Sequence, residues 1–107
     1  MKRVGFVFKV LEEEVEEWKK RHESVWPEFL AALKQHGWRN YTVFLKKDGT
    51  AFGYFEAEES FEKSLEGIAT EEINEKWMEF MQPLFGTLDE KNPDEFMIQL
   101  EEGFHSD

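Results

Sequence analysis

Few residues in this chain can move a proton near neutral pH: three histidines (His22, His36 and His105) and two tyrosines (Tyr41 and Tyr54), with no cysteine at all. Without a thiol, a cysteine nucleophile, a Cys-ligated metal and a disulfide scaffold are all excluded. His22 lies one helical turn after Trp18, so the two side chains project from the same helix face. An imidazole in partly apolar surroundings titrates near neutrality and suits a general acid or base. The same spacing also serves an imidazole that only bonds a backbone group at a helix end. His36 stands just before Gly37, a predicted helix C-cap, where a protonated ring complements the helix terminus as readily as it would serve catalysis. His105 sits in a short acidic tail and reads as solvated. The three histidines lack His-x-His or His-Glu-x-x-His spacing, so no metal site is predicted. No glycine-rich phosphate loop, serine elbow or paired-carboxylate motif occurs, and no cofactor is implied.

Tyr41 alternates with Asn40 and Thr42 on a predicted strand, facing either the core or a cavity. A buried phenol needs a hydrogen-bond partner, and either a ligand oxygen or the protein itself would serve. Trp77 and Met78 share a predicted helix with Phe80 and Met81, where a core stripe is the usual reason for such spacing. The glutamate runs at 12–14, 16–17, 56–59 and 71–72 read as solvated faces.

The elements that must position these groups follow from the hydrophobic period. Val4, Phe6, Phe8 and Val10 alternate with Gly5, Val7 and Lys9, predicting a first strand. Glu12-Glu13-Glu14 opens a helix with negative charge and Lys19-Lys20-Arg21 closes it with positive charge, matching the helix dipole. Pro27 suits the first turn of a second helix, ending near Gly37. Strands are predicted over 38–46 and 50–58, joined by a turn at Lys47-Asp48-Gly49. Ser60 caps a helix to about Ala69, and Thr70 is predicted to cap another through Met81. A loop follows over 86–93, then a last strand over 96–101. The order is β-α-β-β-α-β, which specifies an α+β ferredoxin-like sandwich with a four-stranded antiparallel sheet and helices on one face, in a single domain over 1–107. The strands are apolar or aromatic on both sides, and an uncovered face of that kind favours a partner sheet or a ligand. A homodimer, the dimeric α/β barrel arrangement, with a cavity between sheet and helices accounts for it.

Composition narrows the partners. The 107 residues are 40% hydrophobic and 16% aromatic, enough for a folded core. Thirteen basic against 24 acidic residues give a net charge of −11, which repels phosphate backbones and argues against a nucleic-acid partner. No apolar run approaches the roughly 20 residues that span a bilayer. Met1-Lys2-Arg3 leads straight into a strand rather than a signal-peptide apolar segment, so a soluble cytoplasmic protein without membrane contact is expected.

Three segments in order carry a resemblance. Arg21-His22-x-x-Val25-Trp26-Pro27-Glu28, then His36-Gly37-x-x-Asn40-Tyr41, then Lys76-Trp77 before Phe80-Met81, resemble the L-rhamnose mutarotase family over nearly the whole chain. Phe6-Val7 and Leu100-x-Glu102-x-Phe104 fit as well. The resemblance implies a dimeric ferredoxin-like fold and an isomerase that interconverts the α and β anomers of L-rhamnose or a related 6-deoxyhexose. Position by position, it puts His22 on the family's catalytic acid, Tyr41 on a sugar-contacting tyrosine and Trp77 on the first of two tandem tryptophans. Trp18 stands where the family has a sugar-contacting tyrosine, and Met78 where it has the second tryptophan. Both keep apolar bulk, but one hydroxyl and one stacking plane are lost, a change that bears on which sugar is accepted more than on the reaction.

The expected chemistry is modest. His22 protonates the ring oxygen, Tyr41 binds a hydroxyl or relays the second proton, and Trp18, Trp77, Met78 and Trp26 pack on the apolar face of the sugar. The alternative is a dimeric α/β-barrel protein that binds a small ligand without turning it over. A cofactor-free oxygenase of the same architecture is a third reading, which the motifs favour less.

Overall fold

The computed structural model describes residues 1–86 and 97–107. Its central strand, β1 (Lys2–Lys9), buries Val4, Phe6 and Phe8 on one side, as the alternation predicts. A single 3₁₀ turn over Glu12–Glu14 precedes α1 (Val15–Arg21), so the acidic triplet forms a tight lead-in instead of the first turn of the α-helix. A second 3₁₀ turn, His22–Ser24, follows directly. Val25 and Trp26 are extended, as the residues ahead of a proline tend to be. Pro27 then occupies the first turn of α2 (Pro27–Gln35). Gly37, at φ 79°, turns the chain out of that helix into β2 (Trp38–Leu45).

The turn to β3 (Thr50–Ala57) is closed by a bond from the Lys46 N–H to the Thr50 carbonyl, with Asp48 Oδ1 accepting from the Thr50 N–H at 2.9 Å. Ser60 caps α3 (Phe61–Ala69) by accepting from the Lys63 N–H. Thr70 does not cap the next helix: its hydroxyl donates back to the Gly67 carbonyl at 2.7 Å and finishes α3. Glu71 takes the cap position of α4 (Glu72–Met81) without a side-chain bond. The last strand, β4 (Ile98–Leu100), is shorter than predicted, and Phe96 with residues 87–93 of the expected loop lies outside the described residues.

All strand pairs are antiparallel, in the order β2-β3-β1-β4. This is the expected ferredoxin-like α+β sheet. Gly53 sits under the Phe6 ring, where a Cβ would come within 2.2 Å of it, so the ring can lie across β3. The helix side of the sheet closes on Trp18, Phe29, Leu33, Phe61, Trp77 and Met81. The other side carries a row that crosses the whole sheet in register: Phe44, Phe52, Val7, Ile98. Phe44 is 66% exposed and Phe52 41%, with Leu100 at 42% in the neighbouring row.

One irregularity matters for the site. The β2–β3 register slips between Arg39 and Thr42, and Asn40 adopts φ 52°, held by a bond from its Nδ2 to Glu56 Oε1 at 2.8 Å. This bulge puts one extra residue into β2. Strict alternation would send Trp38 and Tyr41 to opposite faces. With the bulge, both face the helices, their ring centroids 5.1 Å apart. Among the described residues, no helix is long and apolar enough to cross a membrane.

Candidate active site

Between the sheet and the helices lies a cavity of about 460 Å³, within the range that holds a small organic ligand. Strands β1 and β2 supply its floor through Phe8, Trp38, Tyr41 and Val43, and all four helices contribute to its walls. No Asp, Glu, Lys or Arg lines it among the described residues. The lining polar groups include the His22 imidazole, the Tyr41 phenol and the Asn74 amide. Such a space suits a neutral ligand with both apolar faces and hydroxyls.

His22 is half-buried at the seam between α1 and the 3₁₀ turn. Its Nδ1 lies 2.8 Å from the Trp18 carbonyl. A carbonyl only accepts, so Nδ1 carries a proton, and in the neutral ring Nε2 holds the lone pair. Burial pushes the imidazole below its ordinary value of 6.5, against a smaller upward pull from the bond to Trp18. At neutral pH the resting ring is therefore uncharged, a base that becomes an acid only after taking a proton. The expected step, in which His22 acts first as acid, starts instead from the protonated ring.

Aromatic rings fix the imidazole from two sides. The Trp18 indole stacks on it at 3.8 Å between centroids and 23° between planes, while Trp77 meets it edge-on at 5.4 Å. Trp77 is held in turn by Phe29, stacked at 5.1 Å, and by Trp26, edge-on at 5.0 Å. Trp26 thus stands behind Trp77 and is not among the cavity-lining residues, so its expected contact with a ligand gives way to a supporting one. Arg21 fastens the same corner: its guanidinium lies 4.3 Å from the Phe80 ring centroid, donates to the Phe80 carbonyl and pairs with Glu17. The basic end of α1 does more than offset a helix dipole, since Arg21 ties α1 to α4 and keeps His22 beside Trp77.

Tyr41 reaches the cavity from β2, and its hydroxyl has no hydrogen-bond partner among the described residues. Burial raises its pKa far above the ordinary phenol value, so it stays protonated and is a hydrogen-bond donor rather than a proton source. Trp18, Trp77 and Met78 all line the cavity. The Trp18 Nε1–H is buried without a partner among the described residues. Asn74, one turn ahead of Trp77 and Met78 on α4, also faces the cavity and was not among the expected site residues, although the spacing of 74, 77 and 78 puts it on the same helix face.

The remaining histidines lie elsewhere. His36 Nε2 is 2.8 Å from Glu71 Oε1, joining the end of α2 to the start of α4 away from the cavity lining. His105 is exposed and pairs with Asp107 in the tail. Among the described residues, no three His, Asp or Glu side chains gather where they would hold a metal ion.

Comparisons with known proteins point to a single family. A family profile described as L-rhamnose mutarotase matches residues 3–106. An L-rhamnose mutarotase of Oceanobacillus iheyensis is 41% identical over the full length of both chains, and one of Bacillus subtilis 36% identical over the same span. The crystal structure of an L-rhamnose mutarotase from Formosa agariphila covers all of both chains with a TM-score of 0.80 at 27% identity.

Proposed function

This chain belongs to the L-rhamnose mutarotase family, and from that premise we propose that it interconverts the α and β anomers of L-rhamnose or a related 6-deoxyhexose. The observation that carries the reading is the state of His22. Its imidazole is anchored through Nδ1, its pKa is lowered by burial, and no Asp, Glu, Lys or Arg lines the cavity among the described residues.

Mutarotation needs one proton moved between two oxygens on the same carbon. Nε2 takes the proton of the anomeric hydroxyl as the C1–O5 bond opens, and the imidazolium so formed returns it to O5. The products are an aldehyde at C1 and a hydroxyl at C5. After rotation about C1–C2, the C5 hydroxyl attacks the other face of the aldehyde and the proton retraces its path. No net charge or proton is left behind. Acid–base catalysis of this kind typically contributes about 10²–10⁴-fold. Tyr41, kept protonated by burial, donates to a sugar oxygen without relaying the proton. Trp77 and Met78 provide the apolar wall for the ring face and the methyl group, beside the Trp18 indole stacked on His22. Asn74 joins Tyr41 as a hydroxyl-binding group.

The reading includes a homodimer. The apolar row Phe44, Phe52, Val7, Ile98 supports pairing of two sheets face to face, since a solvated row of that length is costly to leave exposed. The proposed setting is the cytoplasm.

NMR exchange spectroscopy on the anomers of L-rhamnose and other 6-deoxyhexoses tests the proposal. The wild type should speed exchange, and His22→Ala should lose about 10²–10³-fold of that rate. The wild-type rate should fall as pH drops, with a midpoint below 6.5 where Nε2 becomes protonated, and this acid limb should vanish in His22→Ala. No acceleration with any 6-deoxyhexose would sink the enzyme and leave a ligand-binding protein. Unchanged rates in His22→Ala would sink only the role given to His22.

A further inference from the structure

We propose that Trp18 is a positioning residue of this reaction, acting through His22 by holding the plane of the imidazole rather than by gripping the sugar. The inference rests on the mutarotase reading above. Two contacts from one residue constrain the ring. The Trp18 carbonyl takes the Nδ1–H at 2.8 Å, which fixes how the ring is turned within its plane. The Trp18 indole lies flat on the imidazole at 3.8 Å and 23°, which fixes the plane itself. Nε2 is then left with one direction, and a base confined to the productive direction avoids the losses that small misplacements bring.

The cost of the indole supports this role. Trp18 is only 7% exposed, and its Nε1–H has no partner among the described residues. A buried unpaired donor is unfavourable. If the position needed only apolar bulk against Phe8, a leucine or phenylalanine would fill it without that penalty. What the indole offers in return is a wide π face. That face lies where a positive charge appears when His22 takes the proton, and a ring face attracts a cation. The carbonyl contact would survive most substitutions, because it belongs to the backbone. The stack would not.

Trp18→Phe and Trp18→Leu separate this role from a sugar contact. Phenylalanine keeps a ring face and removes the N–H; leucine keeps bulk and removes the face. In anomer exchange, Trp18→Leu should lower kcat on the order of ten-fold or more with KM little changed, and Trp18→Phe should recover most of it. The His22 ring protons, shielded by the stacked indole in the wild type, should move downfield in Trp18→Leu. A raised KM at constant kcat would overturn the proposal and return Trp18 to the sugar wall. So would a loss in a folded Trp18→Leu protein that phenylalanine does not rescue. Should Trp18→Leu fail to fold, Trp18→Phe alone decides: kcat and KM both near wild type sustain the stack, and a lost kcat or a raised KM overturns it. If the wild type speeds no sugar's exchange, the mutarotase reading falls by itself. In that event ring-proton shifts unchanged by either variant would overturn the stack as well.

Discussion

His22 gathers three constraints: a tethered Nδ1 and a stacked face from Trp18 one turn before it, and a Trp77 edge from α4. The pairing of residues 18 and 22 was legible in the sequence, because side chains four apart on a helix meet. Which nitrogen is free was not legible, since it depends on where one carbonyl ends up. Tyr41 offers a contrasting test at this scale. Its hydroxyl has no partner among the described residues, so Tyr41→Phe should change folding stability by less than about 1 kcal/mol, measured by urea unfolding. The same variant should lose anomer exchange by about ten-fold or more, because a pocket group aimed at a sugar oxygen is missed only when sugar is present. A stability loss comparable to that of a core cavity would show the hydroxyl to be structural instead.

Among the elements, the period of the apolar residues specified three of the four strands and all the helices to within a few residues. Two features lay beyond it. Thr70 was expected to open α4 because its type suits a cap, yet it closes α3, a choice made by the packing of the two helices. The Asn40 bulge is a matter of register between β2 and β3, which no local pattern encodes. Asparagine tolerates the left-handed region better than β-branched residues do. Asn40→Val should therefore cost about 1–2 kcal/mol and depress exchange, while Asn40→Gly should keep both near wild type. Differential scanning calorimetry beside the exchange assay would check this, and a harmless valine would mean that the bulge does not need φ 52°.

At the scale of the molecule, the sheet separates two tasks. Its helix side holds the cavity, and its far side holds the apolar row from Phe44 to Ile98. Phe44→Glu places a charge at one end of that row, on its most exposed ring, without touching the cavity lining. Sedimentation velocity should find the wild type as a dimer and Phe44→Glu as a monomer; a monomeric wild type would sink the proposed pairing. A net charge of −11 on each copy makes the pairing weaker at low salt, where repulsion is least screened.

The extra residue at Asn40 makes β2 a strand with two parities. Before it, alternate positions count inward from Trp38; after it, they count inward from Tyr41. Flattening the bulge into regular alternation from Trp38 would leave composition, hydrophobicity and the hairpin turn intact. It would nonetheless trade the phenol and Val43 for Thr42 and Phe44, emptying the cavity floor of its phenol and breaking the outer row in one step. The site and the proposed subunit contact thus share one strand in alternating frames, and a lost bulge would act on them as a frameshift acts on a codon.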